Sequence, residues 1–359
     1  MRKLRNLAIF LLSFSITLVV SVCLLYNYTL SSVAKNDKKK VLFEIKSGDT
    51  SKDIAKKLFE KKLIRSDKIF LVYLKLNDIH DIKAGYFNLS KNMDVKKIVN
   101  TLRKNSNINP NSISILFKEG LTMRAIASTI SEETENSYDS LFELLNDDEY
   151  VDDLINKYWF LTDDIKNDNI YYALEGYLYP DTYTFDSKAV TNDEILTRML
   201  DKEEEILNKY KKEIDSNKYN IHEIITIASI VENEGIDYED RRNICSVFNN
   251  RIAKNMSLGS DVTTYYAAKL DMNERDLRQS EINSNNPYNT RGTNMEGKLP
   301  VGPVSNPSEQ SIKAVLNATD TDYLYFVADK NRKVYFTKTI KEHENIIAKL
   351  KNEGLWYEW

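Results

Sequence analysis

The stretch IHEIITIASIVENEG, Ile221 to Gly235, restricts the fold more than any other segment of the 359 residues. Ile221, Ile224, Ile225, Ile227, Ala228, Ile230 and Val231 fall on nearly every face of a helix, so the helix has to be buried rather than lie on a surface. Glu232 and Glu234 follow, and Gly235 marks a C-terminal stop. A carboxyl at that end meets apolar neighbours and the negative pole of the helix dipole. Both disfavour the charged form. A carboxylic acid that stays protonated near neutral pH is what a general acid needs to split a glycosidic bond. The plain alternative is a helix end carrying two solvated glutamates. Helical spacing separates the two acids: Glu232 stacks above Ala228, Ile225 and Ile221, with Ser229 alongside, whereas Glu234 shares its stripe with Ile227, Ile230 and the charged Glu223. Glu232 is therefore expected to be the more perturbed.

The N-terminus bears on the compartment. Leu7 to Tyr26 carries no charge over about 20 residues, enough to cross a bilayer as a helix. Arg2, Lys3 and Arg5 precede it, and Lys35, Lys38, Lys39 and Lys40 follow. The expectation is a single-pass anchor with the N-terminus cytoplasmic and the rest outside the cell, because long domains translocate largely regardless of charge. A cleaved signal peptide, with Ser32-Val33-Ala34 as its cleavage site, is the alternative; its apolar core would be long for a signal. The division expected here is a cytoplasmic tail over 1–6, a transmembrane helix over 7–29 and a solvated tether over 30–40.

A net charge of −4 gives no basic surplus, which argues against a nucleic-acid partner. The two cysteines, Cys23 and Cys245, form no CxxC pair, and His80, His222 and His343 are scattered. No metal site and no cofactor are expected.

Beyond Lys40 a strand–turn–helix pattern occurs twice. Gly48, Thr50, Ile54 and Ala55 match Gly120, Thr122, Ile126 and Ala127 at one constant offset, each set preceded by an alternating apolar run. Thr50 and Thr122 suit helix N-caps. Chance similarity of a common supersecondary unit is the alternative. A polar break from Asn105 to Asn111 separates the copies. From Ser131 to Tyr219 the pattern is mostly helical, interrupted by EGYLYPDTYTF, whose Tyr177, Tyr179, Tyr183 and Phe185 alternate around a Pro180-Asp181 turn. That segment is either a structural strand or a groove wall. Four of the 6 prolines and three of the 10 glycines lie between Asn286 and Ser308. A helix-rich chain that breaks its habit in this way builds a long ordered loop, and such loops are usually functional.

FEIKSGDTSKDIAKKL resembles a LysM domain, a small peptidoglycan-binding module, expected over 41–105. EGYLYPDTY at Glu175, IASIVENEG at Ile227, LGSDVTTYY at Leu258, NPYNTR at Asn286, LPVGPVSNPS at Leu299 and YLYFVADK at Tyr323 occur in that order. Together they closely resemble the YceG-like family of endolytic murein transglycosylases, with the family domain expected over 112–359. The resemblance implies an α+β chain: one N-terminal transmembrane helix, a small LysM-like strand–helix module and a larger mixed catalytic domain. Three positions depart from the family pattern: Val262 and Val301 stand where prolines are usual, and Val334 where histidine is common. His343 keeps the family's position in the final helix.

The resemblance implies a membrane-anchored enzyme that cuts nascent peptidoglycan strands internally and so terminates their elongation. It assigns the catalytic acid to Glu232, and a groove to Ser260, Asp261, Thr263, Tyr288, Asn289 and Thr290. A glycoside hydrolase normally needs two carboxyl groups. A lytic transglycosylase needs one, because the attacking hydroxyl is the C6 hydroxyl of muramic acid, and the product is a 1,6-anhydro end. Penicillin-binding proteins and other wall-synthesis proteins are the candidate partners. A non-catalytic peptidoglycan-binding scaffold and a hydrolase giving reducing ends are the rival readings. Ser32-Val33-Ala34-Lys35 matches an acyl-transferase S-x-x-K, but it lies in the tether and no K-T-G follows.

Overall fold

The computed structural model describes residues 2–104, 109 and 111–356. Most of the polar break expected at Asn105–Asn111 lies outside them. The chain divides into two compact units after Ser112.

The first unit holds α1 (Arg2–Leu30), β1 (Val41–Ile45), α2 (Ser51–Glu60), α3 (Asp67–Leu76), β2 (Gly85–Leu89) and α4 (Val95–Leu102). From Arg5 to Leu30, α1 is long and apolar enough to cross a membrane, and its most apolar window is not buried. β1 and β2 pair antiparallel with Phe43 opposite Phe87. Both rings are buried with Ile54, Ala55, Leu58, Phe70 and Ile98. Residues 31–37, expected as a free tether, are pinned to this unit. Arg65 Nη2 donates to the carbonyls of Ser32 (2.8 Å) and Val33 (3.1 Å), and its guanidinium sits 4.6 Å from the Tyr28 ring centroid. The Ala34 N–H donates to Lys91 O, and Asn92 N–H to Asp37 O. A lysine-rich composition reads as solvated, but these bonds use main-chain carbonyls, which composition does not register.

The second unit begins with β3 (Ile113–Leu116), α5 (Met123–Glu133), α6 (Tyr138–Leu145), α7 (Asp148–Lys157) and β4 (Thr182–Phe185). Then come α8 (Asn192–Asn208), α9 (Lys211–Asp215), α10 (Ile221–Glu234), α11 (Tyr238–Ala253), α12 (Asp261–Ala267) and α13 (Gln279–Ile282). It closes with α14 (Glu309–Leu316), β5 (Tyr325–Ala328), β6 (Val334–Thr337) and α15 (Ile340–Asn352). Among the described residues, three separate two-stranded antiparallel sheets, β1–β2, β3–β4 and β5–β6, accompany the helices, so the chain is α+β.

The repeated pattern has a repeated geometry. Gly48 and Gly120 both take positive φ, 90° and 74°. Thr50 and Thr122 both cap the following helix in extended backbone, each accepting from the N–H three residues on. Ile54-Ala55 and Ile126-Ala127 are buried in their respective units. The alternating tyrosine segment is structural: Tyr177, Tyr183 and Phe185 are buried, and β4 pairs with β3.

α10 is buried from Ile221 to Glu232 apart from Glu223, packed by α11, α12 and α14. Asn220 and Glu223 close its start with a capping box. Gly235 does end it, but in extended backbone (φ −94°) rather than a left-handed cap. The glycine serves close approach, since a Cβ there would overlap the Arg241 side chain and lie 3.1 Å from its Cα.

The Pro/Gly loop is a strap beneath α10. Val304 N–H donates to Ser229 Oγ (3.0 Å), and Ser305 Oγ donates to Ser229 O (2.9 Å). Val301 N–H donates to Pro287 O, a bond that a proline at this position has no hydrogen to make. The strap passes tightly over Gly176 (φ +90°), where a Cβ would overlap Pro303. Gly176→Ala is expected to combine backbone strain with overpacking and to lower stability by about 2–4 kcal/mol. A drop in the thermal unfolding midpoint of the second unit is the measurement.

Candidate active site

The two acids at the end of α10 have opposite surroundings. Glu232 is sealed, with 5% of its side chain exposed. Its Oε1 accepts from Arg241 Nη2 at 2.9 Å. Its Oε2 accepts from the Ser308 N–H (2.8 Å), Ser308 Oγ (2.6 Å) and Ser311 Oγ (2.8 Å). Both oxygens are committed, and the partners come from α11 and from the start of α14. The apolar stripe below Glu232 is present, but it stops at Ala228, and the carboxylate itself meets only donors. The neighbouring turn also leans on this group: burial, then the charge of Glu232, pushes the Glu119 carboxyl up.

Glu234 is partly exposed and lines an open cavity of about 430 Å³ with Arg251, Asp261, Arg291, Tyr325 and His343. Ser260 Oγ donates to its Oε1 at 2.7 Å, and Oε2 has no protein partner among the described residues. Burial pushes its carboxyl up from the ordinary value, and Asp261 adds to this. Ser260, Arg291 and Arg251 pull the other way without cancelling it. The arrangement thus offers one protonatable oxygen to an accessible polar cavity, the requirement for a general acid.

Of the six groove candidates, Ser260 and Asp261 reach this site. Asp261 is exposed and paired with Arg291 (Oδ1 to Nε, 2.5 Å). Thr263, Tyr288, Asn289 and Thr290 have no exposed surface. They cannot touch a strand in the cavity, and they build its floor instead. Asn289 Nδ2 donates to the carbonyls of Glu281, Ile282 and Ser284, while its Oδ1 accepts from Thr264 Oγ1 and Arg291 N–H. Thr290 Oγ1 accepts from the Ser260 N–H at 3.0 Å and lies 2.8 Å from Thr263 Oγ1. The Tyr288 ring packs 4.8 Å from both Tyr171 and Tyr266. These loops carry polar side chains because their backbones need them as internal partners.

A buried acid of the EGYLYPDTY segment was not singled out from sequence. Glu175 accepts from the Met123 N–H (2.9 Å), Tyr266 OH (2.9 Å) and Asn306 Nδ2 (3.1 Å). Asn306 in turn accepts from the Leu178 and Gly120 N–H groups. Burial pushes Glu175 up to about 7. The signal available was a charge set directly after the apolar run Tyr172-Ala173-Leu174, in a segment otherwise rich in tyrosine.

A second cavity, of about 250 Å³, is lined by Gly120, Asn233, Val262, Tyr265, Tyr266 and Val304 among others. Glu232 lines neither cavity. No cluster able to hold a metal occurs among the described residues.

The fold and site define a class: α+β proteins that combine an N-terminal helix long enough to span a bilayer with a carboxyl at the edge of a polar cavity. Within it, this chain belongs to the YceG-like family, whose sequence model matches residues 43–349. It is 35% identical over 328 residues to a Bacillus subtilis protein named endolytic murein transglycosylase, covering 91% of this chain and 89% of that one. A Streptococcus pneumoniae protein of the same name is 32% identical over 347 residues, covering 92% of this chain but 62% of the longer relative. A crystal structure of a yceG-like protein from Listeria monocytogenes superposes with a TM-score of 0.61 at 35% identity, covering 86% of this chain and 99% of that one.

Two outcomes follow from the buried acids. Glu232→Gln leaves Arg241 half-paired and sets an amide against donor groups, so it is expected to cost about 3–5 kcal/mol, read as a lowered unfolding midpoint. Glu175 holds its proton in the folded state up to about pH 7, whereas an unfolded carboxyl releases it near 4.5. Its contribution to stability therefore falls as pH rises through that window. Unfolding midpoints of Glu175→Gln should lie lower throughout but lose that part of the pH slope.

Proposed function

We propose that this chain is an endolytic murein transglycosylase that cuts the bond between N-acetylmuramic acid and N-acetylglucosamine within nascent glycan strands, and so ends their elongation. Glu234 takes the acid role that the sequence assigned to Glu232. The observation that carries this is the contrast in free valence: Glu232 spends both oxygens on Arg241, Ser308 and Ser311, whereas Glu234 keeps Oε2 open to a cavity. In the proposed reaction, Glu234 Oε2 gives its proton to the bridging oxygen as the C1–O bond breaks. Positive charge spreads over C1 and the ring oxygen of muramic acid. The C6 hydroxyl then attacks C1, and its proton passes to the Glu234 carboxylate, which restores the acid. No water is consumed. Ser260 holds the acid in place through Oε1, and Asp261, paired with Arg291, adds negative charge near the developing cation.

The proposed placement is a single-pass anchor through α1 with the N-terminus cytoplasmic and the catalytic unit outside. What supports it is the length and apolarity of α1 and the position of the wall substrate. The β1–α2–α3–β2 unit is proposed as LysM-like, on the Gly48-Asp49-Thr50 turn and the Ile54-Ala55 helix face. Penicillin-binding proteins and other wall-synthesis proteins stay candidate partners on the resemblance alone.

Digestion of uncross-linked glycan by the purified chain, read by mass spectrometry, tests the reaction. Products lighter by one water than reducing-end fragments are expected; fragments with reducing ends would make the enzyme a hydrolase, with Asp261 as its second carboxyl. Glu234→Gln is expected to fold normally and to lose about 10²–10⁴-fold or more in rate. Full activity in that variant would return the acid role to Glu232, and wall binding without any cleavage by the parent chain would make it a scaffold.

A further inference from the structure

The cavity at Glu234 carries two guanidinium groups that the acid chemistry itself does not use. Arg251 is fixed by backbone: Nε donates to Leu324 O (2.6 Å), and Nη1 to Leu258 O (2.7 Å) and Ser257 O (3.3 Å). Its guanidinium lies 5.2 Å from the Tyr325 ring centroid. Nη2 is left without a protein partner among the described residues. Arg291 is 39% exposed, its Nε pairs with Asp261, and its two amino groups donate no hydrogen bond to a described residue. Its position is set by the buried Asn289, which accepts the Arg291 N–H. Each arginine is close enough to act on the other's charge and on Glu234. Two oriented cations beside one ion-paired aspartate leave a net positive charge when Glu234 is protonated. An exposed fork of N–H donors next to a second fixed cation is the arrangement that recognises a carboxylate.

We propose that Arg251 and Arg291 form a carboxylate-recognition subsite that reads the acidic substituent on the muramic-acid side of the scissile bond. The inference rests on Glu234 being the acid. A carboxylate could come from two sources on such a strand: the bare lactyl ether of a sugar without its peptide, or an acidic residue of an attached peptide. Both present the same group to the arginines. Substrate binding then acts on the acid as well. In the free site the two arginines draw Glu234 toward its charged form, against burial and Asp261. An arriving carboxylate neutralises that pull, so the proton is held more firmly when the correct sugar is in place. The charged and titratable groups of this cavity are Glu234 of α10, Arg251 of α11, Asp261 of α12, Arg291 of the loop, Tyr325 of β5 and His343 of α15.

The test uses the full chain in detergent and three forms of one uncross-linked glycan: with peptide stems, stripped of stems, and with every carboxyl capped as its methylamide. Arg291→Gln is expected to raise KM by about 10–100-fold on whichever uncapped glycan carries the recognised group, with little change on the capped one. Arg291→Lys should restore part of the loss. The alkaline limb of kcat/KM should move to higher pH in Arg291→Gln, because a charge that opposed Glu234 protonation is gone. A merely structural loss would weaken all three substrates alike and leave that limb in place, and either result overturns the proposal. Binding of the same glycans to Glu234→Gln and to Glu234→Gln/Arg291→Gln, measured without turnover, separates the two readings. Equal affinity of the single and double variants for uncapped glycan refutes the carboxylate subsite even if Glu234 is the acid. Wild-type cleavage by Glu234→Gln refutes the acid assignment and leaves the affinity comparison standing.

Discussion

The carboxylate of Glu232 is the knot on which the catalytic unit depends. It is reached by a guanidinium from α11, a backbone N–H at the start of α14 and two serine hydroxyls, so one side chain joins three helices at the end of α10. A buried charge is tolerable only when it is paired and hydrogen-bonded, and here both oxygens accept, four bonds in all. That closure also fixes where α10 stops. Two residues later the chain is held in place, and Glu234 leaves the core at the cavity edge rather than at a frayed end.

The same logic links the segments that the sequence shows only as a series. Glu175 binds the start of α5 and Asn306; Asn306 binds Leu178 and the Gly120 turn; Ser229 of α10 binds the strap through Val304 and Ser305. Segments far apart in the chain share one polar lattice under the cavity floor. In an interior of low dielectric such a lattice is costly to half-satisfy, which explains why the loop residues around it are amides, serines and threonines.

Burial of α10 was legible in its sequence, because isoleucines on every face leave no surface to wet. The repeat was legible too, since a glycine at positive φ followed by a capping threonine is a local device. The contrast in surroundings between the two acids was not. A helical wheel describes neighbours on the same helix, whereas the partners of Glu232 stand at positions 241, 308 and 311, brought in by tertiary packing. The groove residues failed for a related reason: the order of motifs locates a loop but not the side to which each side chain turns. Asn289 and Thr290 turn inward to serve backbone groups, while Arg291, the next residue, turns out.

About ten residues join α1 to β1. A flexible linker of that length would let a domain wander over a distance set by the square root of its residue number. Held instead by Arg65, Lys91 and Asn92, it behaves as a short stalk. For a chain anchored through α1, the first unit then stands at a fixed height above the lipid, like the stop on a depth gauge.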